Sequence, residues 1–170
     1  YESDPFRANL NSTIEALRNV TFVLQKEQTV PDFAAGYGKW QTALKENTAA
    51  KWLQVARTKV VHQGELESQS TAEVRLVTCQ DRVLTSVAIP AETPSYMILK
   101  SLPLLNLVDR SGVEAGDVED AAIAIERRWS ADGLNGREIL ETLAEVYGLL
   151  SDMVLDSHSL LKGFECIAEQ

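Results

Sequence analysis

Arg57 and His62 stand five positions apart in the segment Ala56-Arg57-Thr58-Lys59-Val60-Val61-His62-Gln63-Gly64-Glu65. A histidine with an ordinary pKa of about 6.5 can give or take a proton at neutral pH. An arginine is permanently charged, and its planar fork matches the oxygens of a phosphate. The pair is therefore equipped to move a proton beside a phosphate whose charge is building, without a metal. Thr58 and Lys59, lying between them, are the candidate substrate-binding residues, one a hydroxyl and the other an ammonium. The same pair also has a purely structural reading. Arg57 would bond carbonyls or acids of a neighbouring helix, and a histidine near a helix C-terminus is favoured by the macrodipole whatever its function.

Little else in the chain offers chemistry. The second histidine, His158, sits between Ser157 and Ser159 and reads as a bundle-face or surface residue. No HExxH, GxSxG, Walker-type or GxGxxG pattern occurs, which sets aside the common zinc hydrolases, serine hydrolases and nucleotide cradles. Cys79 and Cys166 have no second Cys or His at ligand spacing, so neither a metal nor any other cofactor is expected. Trp40, Trp52 and Trp129 fall at core spacing. Arg127 and Arg128 lie in an acidic stretch and read as a solvated face. Glu114, Asp117, Glu119 and Asp120 load the start of an expected helix, where the dipole favours negative charge.

The elements that must position these residues follow from periodicity. Ser3 or Asp4 before Pro5 reads as a helix start, and Phe6, Leu10, Ile14, Leu17, Thr21 and Leu24 form one apolar face that should end before Pro31. A second helix is predicted over 32–45. A third starts at Asn47 or Thr48, carries Ala49, Trp52, Leu53, Ala56 and Val60, and is closed by Gly64. The period then changes: Ala72 to Cys79 and Val83 to Pro90 read as a hairpin, with Tyr96 to Lys100 a third strand. Helix resumes after Gly116, with Val118, Ala122, Ile125 and Trp129 as its stripe. The last helix, from Gly136 to Phe164, would be about 43 Å long. The fold class expected is mainly α (α+β), one domain over 1–170, with helices at about 4–64, a β insertion at about 72–101 and helices at about 117–165.

The Arg57–His62 segment, at the end of a tryptophan-bearing helix closed by a glycine, resembles the signature of the HEPN superfamily. That signature is an arginine, a polar residue and then a histidine after a short gap; the four intervening residues here match its shortest form, with Thr58 where asparagine is usual. The run Arg18-Asn19-Val20-Thr21-Phe22 resembles a HEPN-like first helix, and the likeness covers residues 4–66. It implies a HEPN-like helical bundle with the hairpin as an insertion, a homodimer that brings two His62 side chains together, and a metal-independent ribonuclease of toxin or defence type. In that scheme Arg57 stabilises the phosphate and His62 transfers protons. One geometric objection stands against it: five helical positions put Arg57 and His62 about 140° apart, so they converge only if the last turn loosens at His62-Gln63-Gly64 or if they face a cleft shared by two subunits.

Two other readings compete. One is a non-enzymatic helical interaction or sensor module with a degenerate site, serving an unknown partner protein. The other is a small-ligand or nucleotide binder that uses Arg75, Arg82 and the apolar hairpin. Charge bears on all three. The net charge of −9 opposes a broad nucleic-acid-binding face. Residues 1–66, however, carry eight basic and seven acidic side chains, against eight and eighteen in residues 67–170, so RNA or another polyanion meets least resistance in the first third. No run of about 18 apolar residues predicts a membrane span, no signal peptide is visible, and the cytoplasm is the expected compartment. The sequons at Asn11 and Asn19 fall inside a predicted helix and are not expected to be glycosylated.

Overall fold

A computed structural model of the chain describes residues 3–27, 31–112 and 121–160. The chain divides into two compact units, one of Tyr1–Phe6 with Glu67–Asp132 and the other of Arg7–Leu66 with Gly133–Gln170.

The second unit is helical. Helix α1 (Ser3–Lys26) enters it at Arg7, followed by α2 (Pro31–Glu46), α3 (Thr48–Gln63) and, after the other unit, α6 (Ile139–Leu160). The predicted faces of three helices are buried, with Leu10, Ile14 and Leu17 of α1, Trp52, Leu53 and Ala56 of α3, and Ile139, Val146, Leu150 and Met153 of α6; in α2, Phe33 and Tyr37 are buried, while Trp40 and Leu44, the side expected to be, are half-buried. Both ends of α3 are fixed by local chemistry. The Asn47 side chain accepts from the Ala50 N–H at 2.8 Å, satisfying a donor that the first turn leaves open. Gly64 takes the left-handed conformation (φ 86°) and its N–H closes on the Val60 carbonyl. Asn11 ties down the chain beyond that cap, donating to the Gly64 carbonyl and accepting from the Leu66 N–H, each at 3.4 Å.

The first unit holds a three-stranded antiparallel sheet in the order β2-β1-β3, built from β1 (Ser68–Thr78), β2 (Val83–Ile89) and β3 (Ala121–Ala131). Along β1, Ser68, Ser70, Ala72, Val74 and Leu76 alternate inward. Their face packs on Ile98 and Leu107, which are carried by the short helices α4 (Ser95–Ser101) and α5 (Leu107–Ser111) on either side of a 3-10 turn (Leu102–Leu105). At the deeper end Arg127 donates to the buried Ser70 hydroxyl at 2.9 Å and to the Thr93 carbonyl, and the Trp129 ring stacks on Phe6 with centroids 4.0 Å apart.

The expected HEPN-like bundle carrying an inserted hairpin is therefore not the architecture. The hairpin exists, but its first strand is the centre of a sheet whose third member is residues 121–131, where a helix was predicted. Ile123, Ile125, Arg127 and Trp129 fit a period of two as well as Ala122, Ile125 and Trp129 fit a helical one, and short apolar runs do not distinguish the two. What decides is pairing: β3 runs in register from Ser68↔Ala131 to Thr78↔Ala121 and satisfies the edge of β1 that β2 leaves open. Conversely, Tyr96 to Lys100 is helical rather than a strand. The predicted acidic helix start at Glu114, Asp117, Glu119 and Asp120, together with Gly116, Val118, Phe164 and Cys166, lies outside the described residues.

Candidate functional site: a cationic cleft in the helical unit

A cleft of about 390 Å³ opens among α1, α2, α3 and α6. Its floor is apolar, with Leu44, Leu53, Val146 and Leu150, and its walls carry Arg18, Lys45 and Lys51 together with Gln25, Gln41 and Gln54. No carboxylate lines it. Among the described residues no aspartate or glutamate comes within ion-pair reach of Arg18, Lys45 or Lys51.

The arginine is positioned from its own helix. Arg18 donates to the Thr21 hydroxyl at 2.5 Å, and that hydroxyl donates back to the Arg18 carbonyl at 2.8 Å. The guanidinium lies 4.7 Å from the centre of the Phe22 ring, so a planar cation rests on an aromatic face. Tyr37 completes this wall by donating to the Thr21 carbonyl at 3.3 Å. Burial pushes its phenol above the ordinary value, and the nearby Arg18 charge opposes that rise. Lys45 stands in the last turn of α2, and Lys51 in the first turns of α3. Basic residues from three helices thus line one cleft together with Leu44, Leu53, Val146 and Leu150. The volume and the mixture of apolar walls with a few placed polar groups suit a small molecule, and the charge suits an anion.

The residues singled out in the sequence lie beside this cleft or away from it. Helix α3 keeps its form through Gln63, so the loosened turn that would bring Arg57 to His62 is absent, and the two remain about 140° apart around the axis. Arg57 is half-buried. Its guanidinium lies 5.6 Å from the Phe22 ring centre, on the ring that Arg18 also uses, and its Nε is buried without a hydrogen-bond partner. His62 is exposed in the last turn. Thr58 is exposed and donates to the Gln54 carbonyl at 3.0 Å, while Lys59 is half-buried. Among the described residues, no three His, Cys, Asp or Glu side chains group in a way that could hold a metal ion.

A family model described as bacteriophage lambda protein ea47 matches residues 1–169. The chain belongs to this family. It is similar to Protein ea47 of Escherichia phage lambda, with 28% identity over 153 residues, covering 87% of this chain and 36% of that protein. The chain therefore spans little more than a third of the length of this curated relative. No solved structure matches it.

Membership of the Ea47 family replaces the HEPN-like assignment, and the toxin or defence ribonuclease that rested on it goes with it. The arginine–histidine pair that suggested it sits on one regular helix with its members apart. The residues that do converge, Arg18, Lys45 and Lys51, were missed because each belongs to a different helix and none forms a motif with the others. The one advance signal was the charge balance, which left the first 66 residues nearly neutral in an acidic chain.

Proposed function

We propose that the helical unit is a binding module for a small organic anion, a phosphate ester or carboxylate with an apolar portion. The observation that carries this reading is the convergence of Arg18, Lys45 and Lys51 on one cleft with no carboxylate to neutralise them. Three like charges facing one cavity repel one another, and an anion relieves that repulsion while the leucines and Val146 take the ligand's apolar part. Arg57, held against the same Phe22 ring as Arg18, adds positive potential beside it. The exposed free thiol of Cys79 favours a reducing compartment, and we assign the protein to the cytoplasm on that ground. Among the described residues no helix is long and apolar enough to cross a membrane.

Calorimetric titration of the protein with phenyl phosphate, inorganic phosphate and phenol tests the reading. Phenyl phosphate should bind saturably and more tightly than either fragment, and Arg18→Gln or Lys51→Gln should each weaken it about tenfold, the loss of one charge-assisted contact. Equal heats for the variants and the parent, or no saturable binding of phenyl phosphate, would refute it.

A further inference from the structure

A second concavity in the helical unit has the opposite character. Between α1 and α6 runs an open groove of about 480 Å³ lined by Ala16 and Val20 on one side and Tyr147, Ser151, Val154 and Leu155 on the other. Tyr147 is 65% exposed and Leu155 60%. Along α6, Leu140, Ala144, Tyr147, Ser151 and Val154 recur at alternating intervals of four and three, giving a stripe about 21 Å long. It lies about 100° around the helix from the core face of Ile139, Val146, Leu150 and Met153. A helix whose core needs are met by one face has no folding reason to carry a second apolar stripe.

The charges beside the stripe indicate what covers it. Continuing around α6 away from the core face come Glu141 and Asp152, about 100° and 120° from the stripe and beyond Leu155 of the groove lining, both exposed and neither with a cation in ion-pair reach among the described residues. On the α1 rim Ser12 and Asn19 are exposed, and Glu15 beside Ala16 is exposed too. Lysine and arginine are absent from the whole of α6. A second copy of α6 laid along the stripe would set these acids against their own counterparts, a like-charge pairing that disfavours self-association. We infer that the α1–α6 groove is a docking site for an amphipathic helix of another protein, apolar on one face and rich in lysine or arginine beside it. The apolar anchors enter at positions i, i+3 or i+4, and i+7, and the basic residues meet the acidic row of α6.

The test is fluorescence anisotropy with a labelled synthetic helix of about four turns, leucine at the anchor positions and lysine elsewhere, beside its twin with glutamate for lysine. The lysine helix should bind at least about tenfold more tightly than the glutamate helix, with the gap narrowing as salt rises. Tyr147→Ser with Val154→Ser should weaken it about tenfold. Glu141→Lys with Asp152→Lys, both at exposed positions, should invert the preference toward the glutamate helix. Equal binding of the two helices, or binding indifferent to both double variants, overturns the inference. So does a concentration-dependent dimer in sedimentation equilibrium that Tyr147→Ser with Val154→Ser abolishes, because the groove would then belong to a second copy of this chain.

Discussion

Asn47 and Glu145 are 98 positions apart in the chain, and the Asn47 side-chain amide donates to Glu145 Oε1 at 2.8 Å while its oxygen caps α3. One side chain thus starts one helix and fastens it to another. The second Glu145 oxygen is taken by Arg137.

Removing that side chain should cost both functions. Asn47→Ala is expected to lose about 1–2 kcal/mol, the range of an N-cap with one charge-assisted hydrogen bond. A urea titration would show this as a lower midpoint with an unchanged slope. Asn47→Asp retains the cap but sets a carboxylate against Glu145, so its midpoint should fall between the two.

Acid should loosen the same contact. Hydrogen bonds from Asn47, and then from Arg137, hold the Glu145 carboxyl below its ordinary value. The unfolded chain therefore binds that proton more readily than the folded one. The stabilisation is complete above the ordinary glutamate value of about 4.3 and is lost as pH falls through the lower folded value. Because Glu145 is partly solvated, the effect is modest. Thermal melts between about pH 6 and pH 3 should show a shallower acid decline for Glu145→Gln than for the parent.

The end of α3 permits a clean backbone test. A Cβ on Gly64 would meet nothing within 4 Å, so Gly64→Ala adds no clash and reads out only the cost of its left-handed conformation. That cost should be about 1 kcal/mol by chemical denaturation, with Gly64→Asn closer to the parent.

In the sheet unit, Phe6 and Trp129 should be energetically coupled. A double-mutant cycle with Phe6→Leu and Trp129→Leu is expected to return about 0.5–1.5 kcal/mol for the stacked rings. No coupling would mean that the two rings do not stack in solution.

Where the chain signals itself locally, the sequence is readable. Asn47, Gly64 and the α1 face from Leu10 to Leu17 act through neighbours three or four positions away, and each is found as predicted. The strand β3 is not readable that way, because what makes Ile123, Ile125 and Trp129 extended is the open edge of β1, some 50 residues earlier. Tyr96 to Lys100 misleads for a related reason: the eight residues between Pro94 and Pro103 fit two turns of helix or a short strand equally well, and the need to cover Val74 and Leu76 with Ile98 selects the helix. The cleft is the least legible feature. Arg18, Lys45 and Lys51 acquire their relationship only when three helices assemble, whereas Arg57 and His62 attract notice by adjacency and are parted by the regularity of the helix that holds them.

The sheet also closes a loop. The helical unit is broken in the chain by residues 67–132, and bringing together the ends of an unstructured loop of that length costs on the order of 4 kcal/mol in entropy. Ser68 and Ala131, at the two ends of this insertion, are paired across β1 and β3. Once the strands zip, the ladder's last pair lies only two residues from Leu66 on one side and from Gly133 on the other, so most of that loop is already closed. The β1–β3 ladder is thus a clasp, and unzipping it would restore the entropic penalty to helices that share none of its hydrogen bonds.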